Sequence, residues 1–251
     1  MRILCVQGIH SSVGSTTVVA NASRILKELG HDVLVFDLNP NNLLRLHFNM
    51  DWQNPSGWAS NISHEKPWFS AAFECEQGVR FIPFGQINYK KLQSLLINSI
   101  AETWLPDQLN LLNLSNDSWV IINISSELNE LSTQALKSSD IIIRVIEPQI
   151  NSLSQLIDSI QSSYIYEDVS LINKSFYLIN KLEPTSLLDY DVALILKKLL
   201  LNKIIPVTIH FDENIKEALA NKTTVTIHAP KSPAAIEFRA LAIWLINHFN
   251  R

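Results

Sequence analysis

The chain has 251 residues, of which 47% are hydrophobic and 18% charged, and a formal net charge of -4. That length and apolar content suit one α/β domain spanning 1–251 with a buried sheet, and they exclude a disordered chain. The acidic balance argues against broad, charge-driven binding to nucleic acid. The two cysteines, Cys5 and Cys75, lack the CxxC spacing of a zinc site and make no disulfide framework.

A reducing, cytoplasmic setting is therefore the expectation. Too few apolar residues follow Arg2 for a secretory leader, and no apolar stretch approaches the ~20 residues that span a bilayer. Membrane association is expected only indirectly, through partners.

Short β-branched runs alternate with helical patterns along the whole chain, the signature of a parallel sheet with crossover helices. A strand over residues 2–7 leads to a helix over 16–29, which Gly30 closes as a C′ residue. A strand over 32–37 follows, then an irregular stretch, 39–78, that holds Trp52, Trp58 and Trp68. Further strands are expected over 79–83, 118–124, 141–146, 176–180 and 204–209. Helices are expected over 88–104, 151–163, 187–201, 213–220 and 233–250, the last opened by Pro233, whose missing N–H costs nothing there. The fold class is α/β: a doubly wound, mostly parallel sheet with helices on both faces.

The chemistry is concentrated after the first strand. Gly8-Ile9-His10-Ser11-Ser12-Val13-Gly14-Ser15-Thr16-Thr17 leads directly into a helix. A strand, a glycine-bearing turn, a Ser/Thr pair and a helix N-terminus form a phosphate cradle, because backbone N–H groups and the helix dipole converge on one point. The Walker A pattern is GxxxxGK[ST]. Gly8 and Gly14 keep its glycine spacing and Thr16 keeps its magnesium hydroxyl, but Ser15 stands where the lysine belongs. Read locally, the same string is also a strand-to-helix turn whose Ser and Thr cap the helix.

This string resembles the deviant Walker A of the MinD/ParA ATPases, in which a signature lysine precedes two small residues and reaches across a dimer. His10 occupies the lysine position, and Ser11 and Ser12 are the small residues. Val33-Leu34-Val35-Phe36-Asp37-Leu38-Asn39-Pro40 resembles the family's Asp-x-Asp-Pro strand, with Asn39 in place of the water-orienting aspartate. Trp119-Val120-Ile121-Ile122-Asn123 resembles the Walker B strand with Asn123 for its aspartate, and Ser125, Ser126 and Glu127 replace the following switch. Phe176-Tyr177-Leu178-Ile179-Asn180 resembles the strand whose Asn reads adenine.

Within that family the chain is similar to the BcsQ (YhjQ) branch of bacterial cellulose secretion systems. The resemblance rests on Asn42-Leu43-Leu44-Arg45-Leu46-His47-Phe48-Asn49, Gly57-Trp58, Pro83-Phe84-Gly85-Gln86 and Ile209-His210-Phe211-Asp212-Glu213. It implies ATP and Mg²⁺ as cofactors. Gly8, His10 to Thr17 (Ser11, Ser12, Val13, Gly14, Ser15 and Thr16 between them), Asn180, His210, Phe211 and Asp212 would hold the nucleotide. Thr16 and Asp37 would reach Mg²⁺ through it. It also implies a homodimer, a small BcsR-like partner, other cellulose synthase subunits and recruitment to the inner membrane.

Phosphoryl transfer depends on neutralising charge at the terminal phosphate. With His10, Ser15, Asn39 and Asn123 in place of two lysines and two aspartates, binding without competent hydrolysis is expected. A histidine does not match the permanent charge of lysine. The competing readings are an active MinD/ParA-type ATPase that positions cargo or DNA, and a nucleotide-free scaffold with a vestigial loop. The tryptophans of 39–78 are read as packing against the sheet, with a partner surface as the alternative. The stripe Phe238, Leu241, Leu245 and Phe249 is read as core rather than a membrane-seeking face, which would need more Lys and Arg. The seven histidines show no metal-ligand spacing.

Overall fold

The computed structural model describes residues 1–98, 101–166 and 169–249. The chain opens with β1 (Arg2–Gly8), α1 (Ser15–Glu28) and β2 (Val33–Asp37). Two short helices, α2 (Leu44–His47) and α3 (Trp58–Ile62), cross to β3 (Phe73–Glu74) and β4 (Arg80–Ile82). Next come α4 (Tyr89–Asn98), α5 (Trp104–Leu111), β5 (Trp119–Ile124), α6 (Glu130–Ser138) and β6 (Ile141–Ile146). Then α7 (Ile150–Tyr166) and α8 (Val169–Lys174) lead to β7 (Ser175–Leu182), α9 (Leu187–Leu200) and β8 (Ile204–His210). The chain closes with α10 (Glu213–Ala220), α11 (Val225–His228) and α12 (Pro233–Phe249).

The sheet runs β3-β4-β2-β5-β1-β6-β7-β8, parallel throughout except for the antiparallel β3–β4 pair. Its central strand, β1, lies between β5 and β6, with Cys5 opposite both Ile122 and Ile142. Because both faces are covered, the strands are continuous apolar runs, and their two-residue period splits them between two cores. Leu4, Val6, Val35 and Ile121 face the layer built by α1 and α12, where Phe238, Leu241, Ala242 and Leu245 are buried. Ile3, Cys5, Phe36 and Ile122 face the opposite layer, with Trp58, Trp68, Leu105 and Leu109. Burial pushes the Cys5 thiol up to about 12, so it is inert packing. The expected doubly wound α/β sheet is thus present, and the α12 stripe is core.

Several elements differ from expectation. The helix expected over 88–104 is two helices, α4 and α5, with residues 99 and 100 outside the description. The expected end of the last helix at Asn250, and Arg251, likewise lie outside the described residues. Helix α6 was not expected; Asn129 opens it with a capping box, accepting from Ser132 N at 2.9 Å while Ser132 Oγ accepts from Asn129 N at 2.7 Å.

The irregular stretch is organised from inside. Arg45 is buried and spends its guanidinium on four carbonyls: Asn42, Asp51, Asn54 and Trp52, at 2.9–3.2 Å. Gly57 and Gly85 cross so closely that a Cβ on Gly57 would stand 2.1 Å from Gly85 N, so neither position has room for a side chain. That crossing seats Trp58 in the core, where its indole donates to Asp37 O at 2.8 Å and its ring meets Phe36, Phe84 and Trp104. Trp68 stacks on Phe36. Two of the three tryptophans are therefore packing residues, while Trp52 is 60% exposed.

Candidate functional site

The loop after β1 stands at the C-terminal edge of the central strand, where the chain's crossovers leave a crevice. Its glycines are dictated by space. A Cβ on Gly8 would lie 2.6 Å from His10 O, and one on Gly14 would lie 2.5 Å from Asn180 Nδ2, at a φ of +91° that disfavours any side chain. Ser12 also takes a left-handed φ of 67°.

Two side chains at the end of β7 fix this backbone from behind. Asn180 Nδ2 donates to Val13 O at 2.7 Å, and Lys181 Nζ donates to Ser12 O at 2.5 Å while pairing with the buried Glu147 at 2.5 Å. With these carbonyls drawn toward β7, the peptide N–H groups that follow them point the other way. The amides of Ser15, Thr16 and Thr17, in the first turn of α1, have no intrahelical partner, the first such bond being Val18 N to Gly14 O. Together with the loop they form an anion-binding nest.

The nest opens on a cavity of about 200 Å³. His10, Ser11, Ser12, Gly14, Ser15, Thr16 and Thr17 line one side; Asn39, Asn41, Leu43, His47, Ser125, Ser126 and Leu219 line the rest. Val13 does not line the cavity, since its side chain is in the core. His10 is engaged within its own chain: Nδ1 lies 2.8 Å from Ser11 O and Nε2 2.7 Å from Ser152 Oγ.

Beneath Thr16, buried and outside the cavity lining, Asn123 and Asp37 sit side by side in the β2–β5 register. Asn123 Nδ2 donates to Asp37 Oδ1 at 2.8 Å and to Thr16 Oγ1 at 3.3 Å, and Asn39 N donates to Asp37 Oδ1 at 3.1 Å. Burial lifts the Asp37 carboxyl to about 7, against the opposing pull of the Asn123 amide and the Asn39 and Leu44 backbone. Asp37 Oδ2 and Asn123 Oδ1 are buried without a partner. These oxygens and the Thr16 hydroxyl fit a hard cation such as Mg²⁺. Among the described residues no group of three or more His, Cys, Asp or Glu could hold a metal, so such a cation needs phosphate oxygens as well.

Not every expected residue reaches this cavity. Asn180 is 3% exposed and braces the loop from beneath. His210 is held by Glu237, through N at 2.8 Å and Nδ1 at 2.5 Å. Asp212 caps α10 by accepting from Asn214 N at 2.9 Å and also accepts from Ala234 N at 3.2 Å. Burial works against the Asp212 charge, yet hydrogen bonds from Asn214, Ala234 and Ser232 hold its carboxyl below the usual range. Phe211 is half-exposed, with Lys216 Nζ 4.6 Å from its ring centre. None of the four lines the cavity.

Conversely, His47 lines it and was not expected to. It is 5% exposed, its Nδ1 has no partner, and burial pushes its pKa down to about 4 against a smaller effect of the Thr223 backbone. Nothing in the local string distinguishes this histidine. Lys181 was within reach of sequence reasoning, being the residue after the adenine-strand Asn.

Comparison with known proteins gives one consistent answer. The family described as "Cellulose biosynthesis protein BcsQ" matches residues 1–246. Cellulose biosynthesis protein BcsQ of Salmonella typhimurium is 28% identical over 251 residues, covering 99% of this chain and 95% of its own. A ParA family ATPase from Chlorobium tepidum superposes with a TM-score of 0.77 at 18% identity, over 96% of this chain and 97% of its own. The septum site-determining protein MinD from Pyrococcus horikoshii, complexed with Mg-ADP, superposes with a TM-score of 0.71 at 20% identity, over 96% and 94%. These likenesses establish the MinD/ParA fold, and the family match establishes more: the chain belongs to the cellulose biosynthesis protein BcsQ family.

Proposed function

We propose that this chain binds ATP and Mg²⁺ without competent hydrolysis, as a single P-loop domain that helps assemble or localise a cellulose synthase secretion complex. The observation that carries this reading is the contrast inside one loop. Its backbone is braced for an anion by Asn180 and Lys181, while Ser15 and His10 occupy the positions of its two cations and His10 is spent on Ser152. Asn39 and Asn123 extend the loss to the water-orienting and magnesium positions. Removing one transition-state donor of this kind costs about 10²–10³ in rate.

Support for Mg-ATP comes from the unpaired oxygens of Asp37 and Asn123 beside Thr16, and from the Mg-ADP held by the MinD structure of the same fold. The expected nucleotide set is Gly8, the 10–17 loop and, on the base side, Asn180 and His210 to Asp212. Homodimerisation on nucleotide, a small BcsR-like partner and recruitment to the inner membrane through other subunits rest on family membership. Among the described residues no helix is long and apolar enough to cross a membrane.

Two measurements on the purified chain test the reading. Titration calorimetry with Mg-ATP should give saturable binding, and a phosphate-release assay should give no turnover above buffer. Steady release overturns the loss of hydrolysis; absence of binding heat and of any nucleotide-induced melting shift overturns the binding.

A further inference from the structure

Helix α9 is anchored on one side and bare on the other. Val192, Ala193, Leu196 and Leu200 are buried against Ile146, Ile179 and Leu182 of β6 and β7. Its outer side carries Leu187, Leu188, Tyr190, Leu194, Ile195 and Leu199, continued by Leu201, all between 42% and 83% exposed. Isolated exposed apolar residues are ordinary, but six on one helix, with Leu201 just beyond it, make a contiguous patch, and such patches mark interaction sites.

The polar residues within that face identify its occupant. Asp191 and Lys198 are seven residues apart, on one line of the helix two turns from each other, and both are exposed. Neither side chain has a hydrogen bond or ion pair among the described residues. A two-fold axis passing between Leu194 and Ile195 would lay a second α9 antiparallel on the first. Asp191 then meets the second copy's Lys198, and Lys198 the second copy's Asp191. On one flank Leu194 meets the second copy's Leu194; on the other Ile195 meets Ile195 and Leu188 meets Leu199. One patch therefore satisfies itself, which is the requirement of an isologous interface. A parallel pairing would set Asp191 against Asp191. An anionic lipid surface would repel Asp191 from the middle of the apolar face, where a membrane-seeking helix carries none.

We propose that the exposed face of α9 is a self-association surface that takes a second copy of this chain in antiparallel register, with two reciprocal Asp191–Lys198 ion pairs. It lies on the side of α9 opposite the core that Ile9 of the loop joins, and none of its residues lines the cavity, so it requires no nucleotide and is independent of the ATP-binding reading. Paired with nucleotide-dependent dimerisation at the loop, it would link dimers into larger assemblies.

Sedimentation of the full chain without nucleotide tests this. The wild type should self-associate, and Asp191→Lys and Lys198→Asp should each weaken association about tenfold or more, since each sets like charges face to face. The double variant Asp191→Lys/Lys198→Asp should recover association to near the wild-type value, a readout that general surface disruption would not give. Leu194→Glu should abolish association with melting unchanged, because the residue is exposed. A wild type that stays monomeric, or a double variant no better than the singles, overturns the proposal. So does a monomer that binds phosphatidylglycerol vesicles through this face and loses that binding in Leu194→Glu.

Discussion

Asn123 and Asp37, directly opposite each other on β5 and β2, share one hydrogen bond of 2.8 Å beneath Thr16 of the loop. The amide is a donor there, and that is what a carboxylate could not be. Replacing Asn123 by Asp would remove the donor and set two buried carboxyls side by side. Leaving a buried charge unpaired costs about 3–5 kcal/mol. The Asn123→Asp variant should therefore lose about that much stability in urea unfolding without metal and regain much of it with Mg²⁺ and nucleotide. Equal stability with and without Mg-ATP would mean that the pair does not face the cation.

Gly14 provides a second test, because two constraints coincide at it. Its φ of +91° strains any side chain, and an added Cβ would sit 2.5 Å from the Asn180 amide that braces the loop. Gly14→Ala must either push Asn180 away from Val13 O or twist the loop. Strain of this sort costs about 1–3 kcal/mol. The variant should melt lower and lose Mg-ATP binding in calorimetry, whereas Gly30→Ala, whose Cβ would meet nothing within 4 Å, should keep binding.

How far the sequence reached is clear from individual residues. The strands were legible because burial on both faces leaves unbroken β-branched runs, and α10 was expected over the residues it occupies because Asp212 caps it and apolar residues repeat on one side. β3 was not legible: two residues, Phe73 and Glu74, become a strand only because Gly78 turns the chain back onto β4. α6 carried its signal in Asn129 and Ser132, but a serine at the third position is a weaker mark than the usual Glu or Gln. In the site, the loop was legible from glycine spacing. His47 was not, because what brings it into the cavity is the Arg45 scaffold and the approach of the segment after α10, both tertiary events.

Arg45 itself supports a third prediction. Its guanidinium satisfies four carbonyls of the turn that carries Asn41, Leu43 and His47 to the cavity, and no carboxylate neutralises it among the described salt bridges. Lysine has three donors on a flexible stem and cannot reproduce that planar fork. Each hydrogen bond to a charged group contributes about 1.5–3 kcal/mol, and carbonyls left unpaired add a penalty. Arg45→Lys should lower stability by about 3 kcal/mol or more, and hydrogen exchange should speed up across 42–54. Unchanged exchange there would show that the turn holds without the arginine.

His47 gives a pH dependence with a definite sign. Burial holds it neutral, with a folded-state pKa of about 4 against an ordinary 6.5. Between those values the unfolded chain takes up a proton that the folded chain refuses, so acid favours unfolding. The contribution is intact above about pH 6.5 and is lost as pH falls toward 4, a difference of about 3 kcal/mol over the whole window at ~1.4 kcal/mol per unit. His47→Gln keeps a polar group in the cavity and has nothing to titrate. The stability of the wild type minus that of His47→Gln, from urea unfolding at successive pH values, should be flat above pH 6.5 and fall steadily below it. A difference that stays flat down to pH 4 would mean that His47 is solvated enough to protonate in the folded chain.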